Sequence, residues 1–264
     1  MKKIMILICH YDNPEGLKAS LMSIKEDFPV DVLVVDDGSV VPPDLKELKS
    51  IYKNGDIFIK YLPKNQGVGI ATNLGLKKII DWGYELTGRL DCGDRVYPNK
   101  YAIQIDYLKN NPQIKALGTW VNMVDMSGKS LFILKHPCRY SDIKNKIYLN
   151  STFVNSSTIF YTEILQTVGL FPEKYHRNGE DYAFFFNVVE KYKCENLPKV
   201  LLDYEINPNS LSSKGRKQQV KARIKIIKEH FYWGWYPIYG ILRNSILMYI
   251  SREQTTFLKD ILKK

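Results

Sequence analysis

Four short apolar runs, at residues 3–9, 32–35, 57–62 and 84–90, are separated by segments of helical periodicity, and this alternation restricts the fold more than any other feature. Continuous apolar runs of this length suit strands buried on both faces of a parallel sheet. Between the first two runs, Leu17, Leu21 and Ile24 recur at helical spacing. Helices are also expected over residues 45–52 and 68–82. Strands alternating with helices predict an α/β fold built on a right-handed, doubly wound, mostly parallel sheet. Beyond Pro98 the alternation loosens. A helix over 101–109 precedes two β-like runs, 116–124 and 130–134, which are joined by Met126-Ser127-Gly128-Lys129. A helix over 181–192 and a strand over 200–206 close the predicted domain, residues 1–205. Residues 206–264 form a distinct helical appendage.

In an open parallel sheet, ligands bind beyond the carboxyl ends of the strands. Here those ends read Cys9 to Asn13, Asp36-Asp37-Gly38-Ser39, Pro63 to Gly69 and Asp91 to Asp94, all polar or glycine-rich and two of them doubly acidic. The last follows Arg89-Leu90 and sets Asp91 three residues from Asp94. Carboxylates there suit a divalent ion holding a diphosphate, since Mg²⁺ takes one or two protein carboxylates and completes its shell with phosphate and water. Gly67 and Gly69 after a strand invite a dinucleotide reading, but the third glycine of that motif would fall at Thr72, and the loop follows the third strand instead of the first. Cys9, Cys92, Cys138 and Cys194 lie too far apart for a C-x-x-C unit and read as reduced thiols in a cytosolic chain. His10 and His136 have no metal-ligand spacing. The apolar start ends at Cys9, too soon for a signal peptide.

These segments, in order, resemble family 2 glycosyltransferases of the GT-A fold, of the type that builds bacterial surface glycans. Ile6 to Asn13 stands where the family has its first strand and nucleotide loop, and Val34-Val35-Asp36-Asp37-Gly38-Ser39 matches its first signature. Asn65 to Gly75 matches N-x-G-x(3–5)-A-x-N-x-G, Arg89 to Arg95 occupies the D-x-D position, and Gly179-Glu180-Asp181-Tyr182 matches the later E-D motif. The resemblance implies that Asp36 or Asp37 reads the base, with Tyr11 placed to stack on it. It implies that Gly67 lets backbone approach the nucleotide and that Asn73 bonds the ribose or phosphate. Asp91 is then nearest the ribose or metal, and Asp94 is the direct ligand to Mn²⁺ or Mg²⁺. Asp181 becomes the general base, with Glu180 as alternative base or donor orienter. His176, Arg177 and Arg95 are candidates for acceptor or phosphate contacts. Two departures stand out: Thr72 replaces a frequent arginine, and Gly93 replaces an acid of the fuller D-x-D-D form, which weakens the metal site.

The net charge of +10 is concentrated in the tail, where residues 206–264 carry twelve Lys and Arg against three acids. Residues 214–228 predict a basic helix with Val220, Ile224, Ile227 and Phe231 along one face. The aromatic run Phe231 to Tyr239 follows, broken by Pro237 and Gly240, and is too interrupted to span a bilayer. Basic residues beside Trp and Tyr suit an anionic membrane surface; packing on the catalytic domain or in a homo-oligomer is the alternative. The resulting expectation is an inverting glycosyltransferase, peripheral at the inner face of the cytoplasmic membrane. It would take a nucleotide-sugar, most simply a UDP-sugar, and a glycan or lipid-linked acceptor, with no nucleic acid partner. The competing readings are a nucleotidyltransferase on a similar sheet, which lacks its triphosphate loop here, and a non-enzymatic basic module binding membrane or nucleic acid.

Overall fold

The computed structural model describes residues 3–175, 178–207 and 215–249. The first half is the expected alternation. Strands β1 (Ile4–His10), β2 (Asp31–Asp36), β3 (Ile57–Tyr61) and β4 (Leu86–Arg89) are linked by helices α1 (Pro14–Ser23), α2 (Leu45–Ile51) and α3 (Val68–Asp81). They pair in parallel in the order β3-β2-β1-β4. Along β1, Met5 and Leu7 enter one apolar cluster while Ile4, Ile6 and Ile8 enter another on the opposite face. That two-residue period puts core on both sides of the sheet and explains the unbroken apolar run. Helix starts are specified locally: Asn13 accepts from the Gly16 N–H ahead of Pro14, and Asp44 accepts from the Glu47 N–H.

The second half is mixed. After β5 (Arg95–Val96) and α4 (Lys100–Asn110) come β6 (Ile114–Val124), β7 (Ser130–Leu134), α5 (Tyr140–Lys146) and β8 (Ile159–Tyr161). Strand β8 inserts antiparallel between β4 and β6, so the full order is β3-β2-β1-β4-β8-β6-β9-β5, with β7 pairing β6 at its side. The short α6 (Leu165–Val168) and α7 (Glu180–Lys191) then lead to β9 (Lys193–Glu205), which runs parallel to β6. The register of β9 slips between Leu197 and Val200, where Pro198 has no N–H to offer the ladder.

Helices α8 (Arg216–Glu229) and α9 (Trp235–Leu247) pack on the catalytic body, one of the two arrangements expected for the tail. Ile226 and Ile227 join the cluster that holds Phe184, Phe185 and Phe186 of α7. The buried face of α8 is Val220, Ile226 and Ile227; Phe231, expected on that face, is exposed. On α9, Gly240 lies against the Tyr148 carbonyl, and a Cβ there would come within 2.2 Å of that oxygen. Only glycine permits so close an approach. Among the described residues no helix is long and apolar enough to cross a membrane. Residues 250–264 of the expected appendage lie outside the described residues.

Candidate active site

The carboxyl ends of β1, β2 and β4 meet in one polar region. His10, the last residue of β1, is paired in register with Asp36 of β2. Its Nε2 accepts the Asn13 N–H, which leaves Nδ1 to donate to the Asp36 carboxylate at 2.8 Å. The Ser39 hydroxyl donates to the same oxygen. Asp36 is thus committed within the protein and borders none of the cavities described below. Asp37 accepts the Gln66 and Gly67 N–H groups, each at 2.8 Å, so its carboxylate fixes the loop that leads into α3. It still borders the nucleotide-sized cavity, together with Gly67 and the exposed ring of Tyr11.

Asn73, expected at the ribose or phosphate, is engaged within the protein. It is buried on α3, its Nδ2 donates to the Phe171 carbonyl at 2.8 Å, and its Oδ1 accepts the Phe171 N–H at 2.9 Å. Both ends of the amide are used, and the residue borders none of the three cavities described below. Its work is to staple α3 to the segment that precedes α7.

The D-x-x-D turn is held from below by Ser20 of α1. Ser20 Oγ donates to the Asp94 carbonyl at 2.8 Å and accepts the Gly93 N–H at 3.0 Å. Gly93 has φ +108, a conformation that L side chains rarely adopt, which gives glycine at this position a backbone reason. The two carboxylates face different surroundings. Asp94 is buried, its Oδ1 accepts the Glu205 N–H, and its Oδ2 has no partner among the described residues. Burial, with Asp91 nearby, pushes its carboxyl well above the usual range. Asp91 has a side chain 40% exposed and borders all three cavities. It accepts from Arg89 at 3.1 Å and from Asn155 at 3.3 Å. Asp91 is thus the more exposed of the two carboxylates, while Asp94 borders the first cavity from a buried position. Among the described residues no three His, Cys, Asp or Glu side chains form a metal cluster. The donor set fits a divalent ion that takes one carboxylate from Asp91, with the enclosed Asp94 behind it, and most of its shell from diphosphate and water.

Three adjoining cavities radiate from Asp91. The first, about 950 Å³, holds the nucleotide loops, including His10, Asn13, Asp37 and Gly67. The second, about 520 Å³, contains Arg89, Glu180, Asp181 and Arg223. The third, about 450 Å³, shares Asp91, Asn155, Asp181 and Gln219 with the second and extends to His136 and Phe153. Arg89 is fully buried and donates to the Leu7 carbonyl, so it is a fixed cation beneath the cleft. Glu180 and Asp181 open α7, where free N–H groups favour carboxylates. Burial nonetheless raises both: for Glu180, Asp181 and Asp91 add to it, and for Asp181, the Tyr182 N–H and Arg223 counteract it. The pair therefore holds a proton more tightly than ordinary carboxyls do.

Arg223 and Gln219 come from α8 and were not singled out by the sequence. The available signal was an arginine breaking the apolar stripe at i+3 from Val220 and i−4 from Ile227. Arg223 donates to Asn244 of α9 at 3.1 Å and lies over the Tyr182 ring. Asn155, which ties Asp91 to the third cavity, has no motif. Arg95 pairs with Glu205 at 3.8 Å and borders none of the three cavities. His176 and Arg177 lie outside the described residues.

Comparison with known proteins agrees with this geometry. A UDP-Gal:α-D-GlcNAc-diphosphoundecaprenol β-1,3-galactosyltransferase of Escherichia coli is 26% identical over 99% of this chain and 96% of its own length. The amylovoran biosynthesis glycosyltransferase AmsE of Erwinia amylovora is 22% identical over 86% of this chain and 85% of its own. Among solved structures, S. aureus TarS 1–349 in complex with UDP-GlcNAc superposes with a TM-score of 0.69 at 17% identity, covering 92% of this chain and 72% of that 1–349 chain. The mannosyltransferase PcManGT of Pyrobaculum calidifontis, in complex with GDP-Man and Mn²⁺, gives a TM-score of 0.64 at 14% identity, covering 94% of this chain and 70% of its own. These superpositions show the GT-A fold. Residues 5–167 match the profile of Glycosyl transferase family 2, more than half of the sequence, and the chain belongs to that family.

Proposed function

We propose that this glycosyltransferase moves a sugar from a UDP-type nucleotide donor to a hydroxyl of a lipid-linked glycan, with inversion at the anomeric carbon. The observation that carries the reading is the junction at Asp91, where a nucleotide-sized cavity, a cavity holding Arg89 and Arg223, and a third bordered by Asp181 all meet. The nucleoside occupies the first cavity, with Tyr11 placed to stack on the base and Asp37 holding the loop beside it. The donor sugar and diphosphate lie toward the second, where Arg89 and Arg223 face the developing negative charge. Asp181 accepts the proton of the acceptor hydroxyl as its oxygen bonds to the anomeric carbon and the UDP oxygen leaves. The tight proton affinity of the Glu180–Asp181 pair suits a base at neutral pH. Glu180 orients the donor. A divalent cation, Mn²⁺ or Mg²⁺, supplies charge neutralisation for the diphosphate when bound, with Asp91 as its protein carboxylate.

The lipid-linked acceptor is supported by the E. coli relative and by the outer face of α9. Trp235, Ile238, Tyr239, Leu242 and Ile246 repeat at helical spacing and are exposed, with Trp235 71% accessible. Beside them, Lys217, Lys221, Lys225 and Lys228 of α8 are exposed. An aromatic face flanked by lysines suits the anionic cytoplasmic surface of a membrane. Family membership removes the nucleotidyltransferase and non-enzymatic readings.

The test is a panel of nucleotide-sugars incubated with undecaprenyl-diphosphate-linked N-acetylhexosamine, with release of nucleotide followed. Asp181→Asn should abolish transfer while UDP binding persists. Full transfer by that variant would remove Asp181 from the mechanism, and release of pyrophosphate would overturn sugar transfer itself.

A further inference from the structure

We infer that Asn244 of α9 is a positioning residue for the donor site: its amide aims the Arg223 guanidinium into the second cavity, so that the seating of the tail governs how tightly the donor diphosphate is held. The inference rests on the glycosyl-transfer reading and adds the means by which the tail takes part in it. Arg223 borders the second cavity one turn along α8 from Gln219, which borders it too. Its guanidinium lies 6.0 Å from the centre of the Tyr182 ring, and Nη1 donates to Asn244 Oδ1 at 3.1 Å. An arginine has only donors, so the amide must present its oxygen. The other end of the amide agrees: Nδ2 donates to the Gly240 carbonyl, one turn back on α9, at 2.8 Å.

The place of Asn244 is set by the helix that carries it. Pro237, Gly240 and Asn244 recur at helical spacing and are the buried residues of α9. Gly240 lets the helix settle against the Tyr148 carbonyl, and Arg243 Nη1 donates to the Leu149 carbonyl at 2.8 Å, so one short segment after α5 fixes α9 twice. Arg223 therefore reaches the cavity from one tail helix while its direction is set by the other.

The kind of partner matters. Arg89 is held by the Asp91 carboxylate at 3.1 Å, which offsets part of its charge. Arg223 is held by a neutral amide and forms no ion pair among the described residues; Asp181 acts on it only from farther away. Burial, with the like charge of Arg243, makes the positive charge of Arg223 harder to keep. A phosphate oxygen beside it relieves both through a charge-assisted bond. A long side chain also loses rotamer freedom when it binds a ligand, and holding it in place beforehand removes that cost. Asn244 thus gives direction without neutralising the charge.

The test is calorimetric titration of the full chain with UDP and with UMP, Mg²⁺ being present throughout. Arg223→Gln should weaken UDP about tenfold and change UMP, which lacks the outer phosphate, by less than about twofold. Asn244→Leu should weaken UDP about fivefold, again with UMP little changed. The double variant should bind UDP no more weakly than Arg223→Gln alone, since Asn244 acts through the arginine. Asn244→Ser, too short to reach the guanidinium, takes the place of the leucine variant if that one does not fold. The inference is overturned if a folded Asn244 variant keeps the wild-type affinity for UDP, if UDP and UMP weaken alike, or if the losses add in the double variant. An unchanged UDP affinity in Arg223→Gln would also overturn it and leave sugar transfer standing. Failure of the wild type to bind UDP would instead strike the donor reading, and this inference with it.

Discussion

Asn73 separates a role suggested by a motif from a role set by packing, and a single substitution decides between them. In Asn73→Ala, the Phe171 N–H and carbonyl lose their partners in a buried setting. Leaving one buried polar group unpaired costs about 1–3 kcal/mol, so two give about 2–5 kcal/mol once partial relaxation is allowed. For a chain of this size each kcal/mol lowers the melting temperature by about 2–4 °C, which predicts a fall of roughly 5–15 °C. UDP affinity should be preserved well below the transition, because the side chain borders none of the three cavities. The assay is thermal unfolding by circular dichroism, paired with calorimetric titration of UDP at 15 °C. Asn73→Asp should be at least as damaging, since its carboxylate sets a second oxygen against the Phe171 carbonyl. A variant with unchanged melting and UDP affinity reduced about tenfold or more would refute the staple and restore the nucleotide contact.

Two further substitutions test the base pair and the tail. Burial holds Glu180 at about 8 against an ordinary 4.5, so the folded chain keeps this proton where the unfolded chain has lost it. Stability conferred by the protonated group is therefore complete below about 4.5 and falls as pH rises to about 8. Glu180→Gln, which stays neutral, should match the wild type in urea at pH 4.5 and exceed it by about 1–2 kcal/mol at pH 8.5, a figure reduced for partial solvent access; an equal offset at both pH values would refute the shift. For the tail, Trp235→Ser with Leu242→Ser should abolish co-sedimentation with phosphatidylglycerol vesicles while leaving UDP affinity intact. Unchanged sedimentation, or a loss of dimer without a loss of vesicle binding, would assign the α9 face to another copy of the chain.

The parallel half of the sheet was legible because period and polarity agree there. Apolar runs mark β1 to β4, and the acids that follow them sit at the carboxyl ends of strands, where ligands bind in open parallel sheets. β8 was not legible. Ile159–Tyr161 is too short to display a period, and its place between β4 and β6 is set by partners 40 or more residues away. The same distance problem hid the role of Asn73, whose partner lies 98 residues on. It also hid Arg223, which reads as one more charge in a basic helix until α8 is laid over the cleft.

The pair Asp91 and Asp94 shows the limit most sharply. Spacing presents two equivalent carboxylates, and the family resemblance implies Asp94 as the metal ligand. Only the fold reveals that Ser20 pins the turn and that the Glu205 N–H, 111 residues away, holds Asp94 inside. A carboxyl enclosed in this way, its proton affinity raised, gives the turn its shape. The more exposed Asp91 borders all three cavities; of its partners, Arg89 borders the second and Asn155 both the second and the third. The motif thus marks the centre of the site, while the division of labour within it is set by long-range contacts that no local pattern encodes.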